Sequence, residues 1–235
     1  MSRKTICLPG LSDLDLSPIQ PIVESATFQK LQERNQLGLS YLVFPGAQHS
    51  RLEHSLGTYL LTKRRTDRLL EESIISAKMA HNTNLYALLH DIGHFPLSHD
   101  IEALCNGTHN DHGLVLLEQL REEIGACECE FNLVRALFTR KNFLSCCVSH
   151  PWFGTDKIHY ISFDNSRTVE GIGFRVDDLI NHISIHNGDL AIDNRFASEI
   201  ETFLRCYIYM FDRVYLRKAC VAIKRFLQKL VLKDT

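Results

Sequence analysis

ALLHDIGHFPLSHDIE, residues 87–102, sets three histidines and acidic side chains into a stretch that otherwise reads as protein interior. Imidazoles and carboxylates taken out of water must be hydrogen-bonded, ion-paired or bound to a metal. The stretch therefore calls for partners elsewhere in the chain. His90 and Asp91 are adjacent and His94 lies one helical turn beyond His90, so the three project from neighbouring sectors of one segment. A neutral nitrogen beside an anionic oxygen suits mid-series divalent ions such as Mn, Fe, Co, Ni or Zn better than thiolate-loving ones. Two ligands hold a metal poorly, and the candidates for the rest are His54 and an acid further along. Alone, a His-Asp pair is a weak sign, better explained by a surface pair beside a hydrogen-bonded core histidine.

Outward from this run the pattern is helical. Periodicity predicts a helix over Ser17–Glu33, with Ile22, Phe28 and Leu31 on one face, and a break at Gly38, Pro45 and Gly46. A second helix is predicted from Arg51, where Leu52, Leu56, Tyr59 and Leu60 recur at helical spacing and His54 falls in the first turns. The quoted run reads as a helix interrupted at Pro96, then a short second helix through Glu102. Amphipathic patterns follow over Asn110–Glu123, Phe131–Phe138 and Asp156–Phe163, and a long helical pattern, broken at most once, fills Ala197–Leu232. ISIHNGDLAI, 183–192, differs: it alternates on both sides of Asn187-Gly188, a pair that suits a type I′ turn, and predicts a β-hairpin near residues 183–193. The expected fold class is mainly α with that small hairpin, in a single domain over residues 1–235.

A chain of 235 residues with 45% hydrophobic content suits one sizeable core and is short for two. The net charge of -2 gives no global basic field, so duplex nucleic acid is not an expected partner. No run reaches the roughly 18 apolar residues of a membrane span, and MSRKTICLPG lacks the apolar segment of a secretion signal. No membrane association and a cytoplasmic location are expected. The 8 cysteines include no C-x-x-C pair, and Cys127 with Cys129 and Cys146 with Cys147 are spaced too tightly for a zinc ribbon. Reduced, mostly buried thiols are expected, and Trp152 is expected to pack near the helix that begins at Asp156.

Together, QLGLSYLVFPGAQHSRLEHSLGTYLL (36–61), the quoted run and FGTDKIHYISFDN (153–165) resemble the HD-domain phosphohydrolases, and more narrowly the branch of deoxynucleoside triphosphate triphosphohydrolases that includes the sterile-alpha-motif HD-domain enzyme. The resemblance runs in order from about Leu8 to about Leu230. It implies the HD-domain helical fold and one divalent cation, Mn, Fe, Ni, Co, Zn or Mg, held by His54, His90, Asp91 and Asp156. It also implies proton transfer by His94, Glu102 and His109, where a carboxylate beside a histidine orients the ring and raises its pKa. His112 rivals His109, because the family places an acid straight after this histidine whereas the order here is His109-Asn110-Asp111-His112. The resemblance gives His99 a pocket contact, Arg51 and Lys157 the phosphates, and Gln36, Tyr160 and Asp164 the sugar. Arg205, Tyr209, Tyr215 and Lys218 fall near positions that close the pocket, while His159 stands where the family commonly has an acid and Arg217 where a histidine is usual. Without the match, the charged members of this set read as solvated side chains.

The leading expectation is a metal-dependent nucleotide phosphohydrolase that converts deoxynucleoside triphosphates to nucleoside and triphosphate, working as an assembly of identical subunits. A phosphatase acting on nucleoside monophosphates or other phosphate esters is the second reading. The third is an HD protein that binds nucleotide without turnover.

Overall fold

Two helices, α3 (Arg51–Glu71) and α4 (Ala77–Leu89), pack against each other at the centre of the chain. The computed structural model describes residues 4–105, 107–139, 144–169, 171–186 and 189–233. Ser50 opens α3 with a reciprocal cap: its hydroxyl accepts from the Glu53 amide, and the Glu53 carboxylate accepts from the Ser50 amide. The start of the helix is thereby fixed, and His54 falls in its first turn. Ahead of it lie β1 (Thr5–Cys7), β2 (Asp13–Asp15), α1 (Gln20–Val23) and α2 (Ala26–Gln29). After it come α5 (His109–Gln119), α6 (Arg121–Ala126), α7 (Phe131–Phe138), α8 (Ser145–Ser149), α9 (Thr155–Arg167) and α10 (Val176–His182). The hairpin β3 (Ile183–His186) and β4 (Asp189–Ile192) follows, then α11 (Ala197–Met210), a wide i→i+5 turn over Phe211–Tyr215, and α12 (Lys218–Val231).

α3 divides the interior. Leu56 and Leu69 join a core built with α4 to α8 and the N-terminal segments, while Leu61 joins a second core with Ile158, Ile180, Phe203 and Met210. Buried along much of its length, α3 satisfies polar groups across helices: Thr62 bonds Thr155 of α9 at 2.6 Å and Thr66 donates to Asn84 of α4 at 2.8 Å. Arg65 is wholly buried with no carboxylate partner among the described residues, and its Nη1 donates to the carbonyls of Cys147 and Phe153 at 2.8 and 3.0 Å. Burial lowers its pKa to about 10. The guanidinium pins the turn between α8 and α9, just ahead of Asp156.

Mainly α with a hairpin is what the chain forms. β3 and β4 pair antiparallel from Ile183 with Ile192 to His186 with Asp189, while the expected Asn187-Gly188 turn lies outside the described residues. A second antiparallel pair, β1 with β2, is three residues long on each side, too short for alternation to announce it. The single helix expected over Ser17–Glu33 is instead a chain of short turns around α1 and α2. Pro18 and Pro21 lack amide protons, and Ser25 adopts an extended conformation to accept from the Phe28 amide and restart the helix. Ile22, Phe28 and Leu31 are nonetheless buried together. Asn110–Glu123 likewise splits into α5 and α6 at Leu120, and the short helix expected to end at Glu102 is a pair of 3₁₀ turns, Ser98–Asp100 and Glu102–Leu104. Trp152 is 52% exposed and lies edge-on to Tyr207 of α11, on the surface and not in the packing expected for it. The cysteines are free thiols, and burial pushes Cys129 up to about 12 and Cys147 to about 11. No helix among the described residues is long and apolar enough to cross a membrane.

Candidate metal centre

Three helices bring four donors together. His54 comes from the start of α3, His90 and Asp91 from the end of α4, and Asp156 from the first turn of α9. His54 Nε2 stands 3.1 Å from Asp156 Oδ1 and 3.7 Å from Asp91 Oδ2, and His90 Nε2 stands 3.5 Å from Asp156 Oδ1 and 3.3 Å from Asp91 Oδ1. Metal bonds of about 2.1 Å arranged tetrahedrally or octahedrally set neighbouring donors about 3.0–3.4 Å apart. The spacing fits a divalent cation. A second observation agrees: His90 donates through Nδ1 to the Ala87 carbonyl at 2.8 Å, which turns Nε2, buried and without a hydrogen-bond partner among the described residues, toward Asp91 and Asp156; burial opposes charge on the ring, but the two carboxylates raise its pKa to about 9.

The charges are arranged for the same task. Burial would raise the Asp91 carboxyl, but His90, His94 and Arg51 around it outweigh that and hold it well below the usual carboxylate range. Asp156 is likewise held low against its burial, by His54 and His90. Arg51, 2% exposed, is ion-paired with Asp91. Its charge is therefore partly spent inside the protein.

A second group of donors, His94, His99 and His109, sits beside the first. Glu102 joins it: one oxygen accepts from His109 Nδ1 at 2.5 Å and from the His109 amide at 2.9 Å, the other from His99 Nδ1 at 2.6 Å. His94 stacks on His109 with ring centroids 4.0 Å apart, and burial lowers its pKa to about 3, so it is neutral near pH 7. His112 is elsewhere, donating to the Gly93 carbonyl at 2.8 Å and stacked on Phe95. Gly93 lets α5 approach this closely, since a Cβ there would fall 2.0 Å from the His109 carbonyl oxygen.

Partial burial opposes the charge on Glu102, yet the His109 amide and the two rings hold its carboxyl at about 2. A carboxyl whose folded pKa lies below its ordinary value adds stability that is complete above that value, 4.5, and is lost as pH falls through the folded one. Solvent at this half-buried group keeps the gain small. Urea unfolding of the wild type and Glu102→Gln is expected to differ most near neutral pH and to converge between pH 4.5 and about 2. A difference that does not change over that range rejects the pairing.

Both groups border a cavity of about 410 Å³. Of the residues singled out in the sequence, Gln36, Arg51, Asp91, His94, His99 and His109 line it, as do Asp156, Tyr160 and Asp164. Lys157 does not: its ammonium donates to the Tyr160 hydroxyl at 3.1 Å and lies over the Tyr207 ring. Arg205 and Tyr209 are outside as well. α11 buries Phe203, Cys206 and Met210 on one stripe, so Arg205 falls on the flank, where it pairs with Glu201, and Tyr209 packs near Gly171. The wide turn that follows brings Phe211 and the expected Tyr215 to the cavity, while Lys218 at the start of α12 is outside its lining. Tyr215 donates to Asp164 Oδ2 and His49 Nε2 donates to Oδ1, each at 2.7 Å, so both oxygens of Asp164 already accept within the protein. Lys224 of α12 also lines the cavity, donating to the His99 carbonyl at 2.8 Å, while Gln228 donates to the Asp100 carbonyl at 2.9 Å. Nothing in the local pattern around Lys224 distinguishes it from a solvated lysine, and the sequence reading missed it.

Residues 51–144 match the HD domain family model. An HD domain-containing protein of Acanthamoeba polyphaga mimivirus is 27% identical over 90% of this chain and 53% of its own length. The deoxynucleoside triphosphate triphosphohydrolase SAMHD1 of Bos taurus is 43% identical over 42% of this chain and 17% of its own length. A phosphohydrolase from Bacteroides thetaiotaomicron of known structure superimposes with a TM-score of 0.89 at 30% identity, covering 99% of this chain and 59% of that one. The chain spans about half the length of the curated relatives that it matches along most of its extent.

Proposed function

The chain belongs to the HD-domain phosphohydrolase superfamily, and from that premise we propose that it is a metal-dependent nucleotide phosphohydrolase that releases nucleoside and triphosphate from a deoxynucleoside triphosphate. The observation that carries this reading is the convergence of His54, His90, Asp91 and Asp156, with donors 3.1 to 3.7 Å apart, beside a cavity that also holds the Glu102-braced His109. These four residues would hold one divalent ion, and a bound ion supplies Lewis acidity toward a phosphoryl oxygen and lowers the pKa of water.

The rest is the work of the chain's own side chains. Arg51, anchored on Asp91, offers a rigid fork to phosphate oxygens, and Lys224, also in the lining, a mobile point charge. In the hydrolysis a water oxygen bonds to the α-phosphorus as the bond from phosphorus to the sugar oxygen breaks; that oxygen leaves with the electron pair and needs a proton. His109 gives it from Nε2, because its Nδ1 proton is committed to Glu102. His94, neutral and stacked on His109, fixes the plane of that ring. Gln36 and Tyr160 face the sugar, and Asp164 braces Tyr215 on the same wall. Assembly from identical subunits and a cytoplasmic location belong to the same proposal.

One observation favours a smaller substrate. Among the described residues the cationic side chains lining the cavity are Arg51, already paired, and Lys224, which is little positive charge for a triphosphate. A nucleotide panel with each candidate metal, scored for triphosphate against orthophosphate, separates the two readings. Triphosphate with nucleoside is the expected product. Orthophosphate from monophosphates would favour the second reading, and nucleotide binding without any product would reject both.

A further inference from the structure

Behind His54 lies a histidine that the proposed chemistry does not use. His159, in the second turn of α9 and 5% exposed, brings its Nδ1 to 2.9 Å from His54 Nδ1. Two imidazole nitrogens at that distance share one proton: one donates and the other offers a lone pair. His54 turns Nε2 toward Asp156 and Asp91, so Nε2 is the nitrogen that must be bare when a cation is held. The proton of neutral His54 then sits on Nδ1, and His159 can only accept it. An accepting His159 is neutral and carries its own proton on Nε2.

The ring has been given room. Phe163 lies 5.2 Å from it, centroid to centroid, and Gly57 of α3 lies against its edge, where a Cβ would fall 1.9 Å from His159 Nε2. A glycine inside a helix costs about 1 kcal/mol relative to alanine. Admitting the His159 ring accounts for that cost.

We propose that His159 is a positioning residue of the metal centre: it accepts from His54 Nδ1, fixes the tautomer and plane of that ligand, and does so without charge, with Gly57 as the gap that admits its ring. The inference rests on the reading of His54 as a metal ligand and on nothing about the substrate. Neutrality has its own effect. Asp91 and Asp156 already bring two carboxylates against the one guanidinium of Arg51, and an acid at position 159 would add negative charge behind a site meant for phosphate.

The test measures metal affinity on the full chain, by competition of Zn²⁺ against a chromophoric chelator, together with the visible spectrum of the Co²⁺-loaded protein. His159→Ala is expected to weaken Zn²⁺ binding about 10–100-fold and to alter the Co²⁺ bands. His159→Asn, whose amide oxygen can stand where Nδ1 stood, is expected to stay within about threefold of the wild type. Gly57→Ala keeps His159 but displaces its ring, and is expected to match His159→Ala. Adding His159→Asn to Gly57→Ala restores affinity, because the shorter side chain no longer reaches residue 57; that rescue separates positioning from a general loss of fold. A wild-type chain that binds no divalent metal overturns this inference and the metal-site reading together. Binding by the wild type with His159→Ala unchanged, with His159→Asn as weak as His159→Ala, or with Gly57→Ala left unrescued, overturns this inference alone.

Discussion

Replacing His90 and Asp91 together by alanine is expected to leave a chain that holds no stoichiometric metal and hydrolyses no nucleotide above background. The two side chains supply half of the proposed donor set, and the nitrogen lost with His90 is the buried Nε2 that has no hydrogen-bond partner among the described residues. His54 and Asp156 alone cannot hold a cation firmly. The substitution also removes the carboxylate that Arg51 is paired with, and breaking one side of a buried pair costs about 3–5 kcal/mol. Thermal unfolding therefore accompanies the metal analysis, and His90→Gln with Asp91→Asn, which keeps volume and polar atoms, serves as the gentler version. A folded variant of either kind with full metal content or full turnover rejects the site.

His109→Ala is expected to lower kcat about 10²–10⁴-fold with little change in KM, the usual size of a general acid's contribution. One Glu102 oxygen accepts from both its ring Nδ1 and its backbone amide, so Glu102→Gln should reproduce much of the loss. The signature lies in the leaving group. A nitrophenyl phosphodiester, whose departing phenolate needs no proton, should lose far less activity in His109→Ala than a nucleotide does. His112→Ala should stay within about threefold of the wild type, because its Nδ1 is occupied by the Gly93 carbonyl. Equal losses for both leaving groups would reject the acid role, and a larger loss for His112→Ala would exchange the two assignments.

Periodicity was enough for what a segment settles by itself. α7 and the β3–β4 pair could be read from the sequence because their apolar residues repeat at the spacing of one element. Ser17–Glu33 buries the residues its pattern marks, yet two prolines and a capping serine break the backbone beneath them. The site was legible differently. Spacing joined only His90, Asp91 and His94; His54 was a candidate ligand beside them, and Asp156, 102 residues beyond His54, was singled out as the acid only through family resemblance. Departures from the family pattern mark where the reading ran out. His159 stood out in the sequence as a histidine where the family commonly has an acid, and the structure places it against a proposed metal ligand. Lys224 reaches the cavity through the packing of α12 on the Ser98–Asp100 turn, which no local pattern encodes.

The wide turn at Phe211–Tyr215 gives this stretch slack in its length. An α-helix rotates roughly 100° per residue, so a residue gained or lost inside a regular helix turns everything beyond it by that angle. A π-turn takes up one extra residue locally. In evolutionary terms the segment can therefore gain or shed a residue here while α12 keeps its place over the carbonyls of His99 and Asp100.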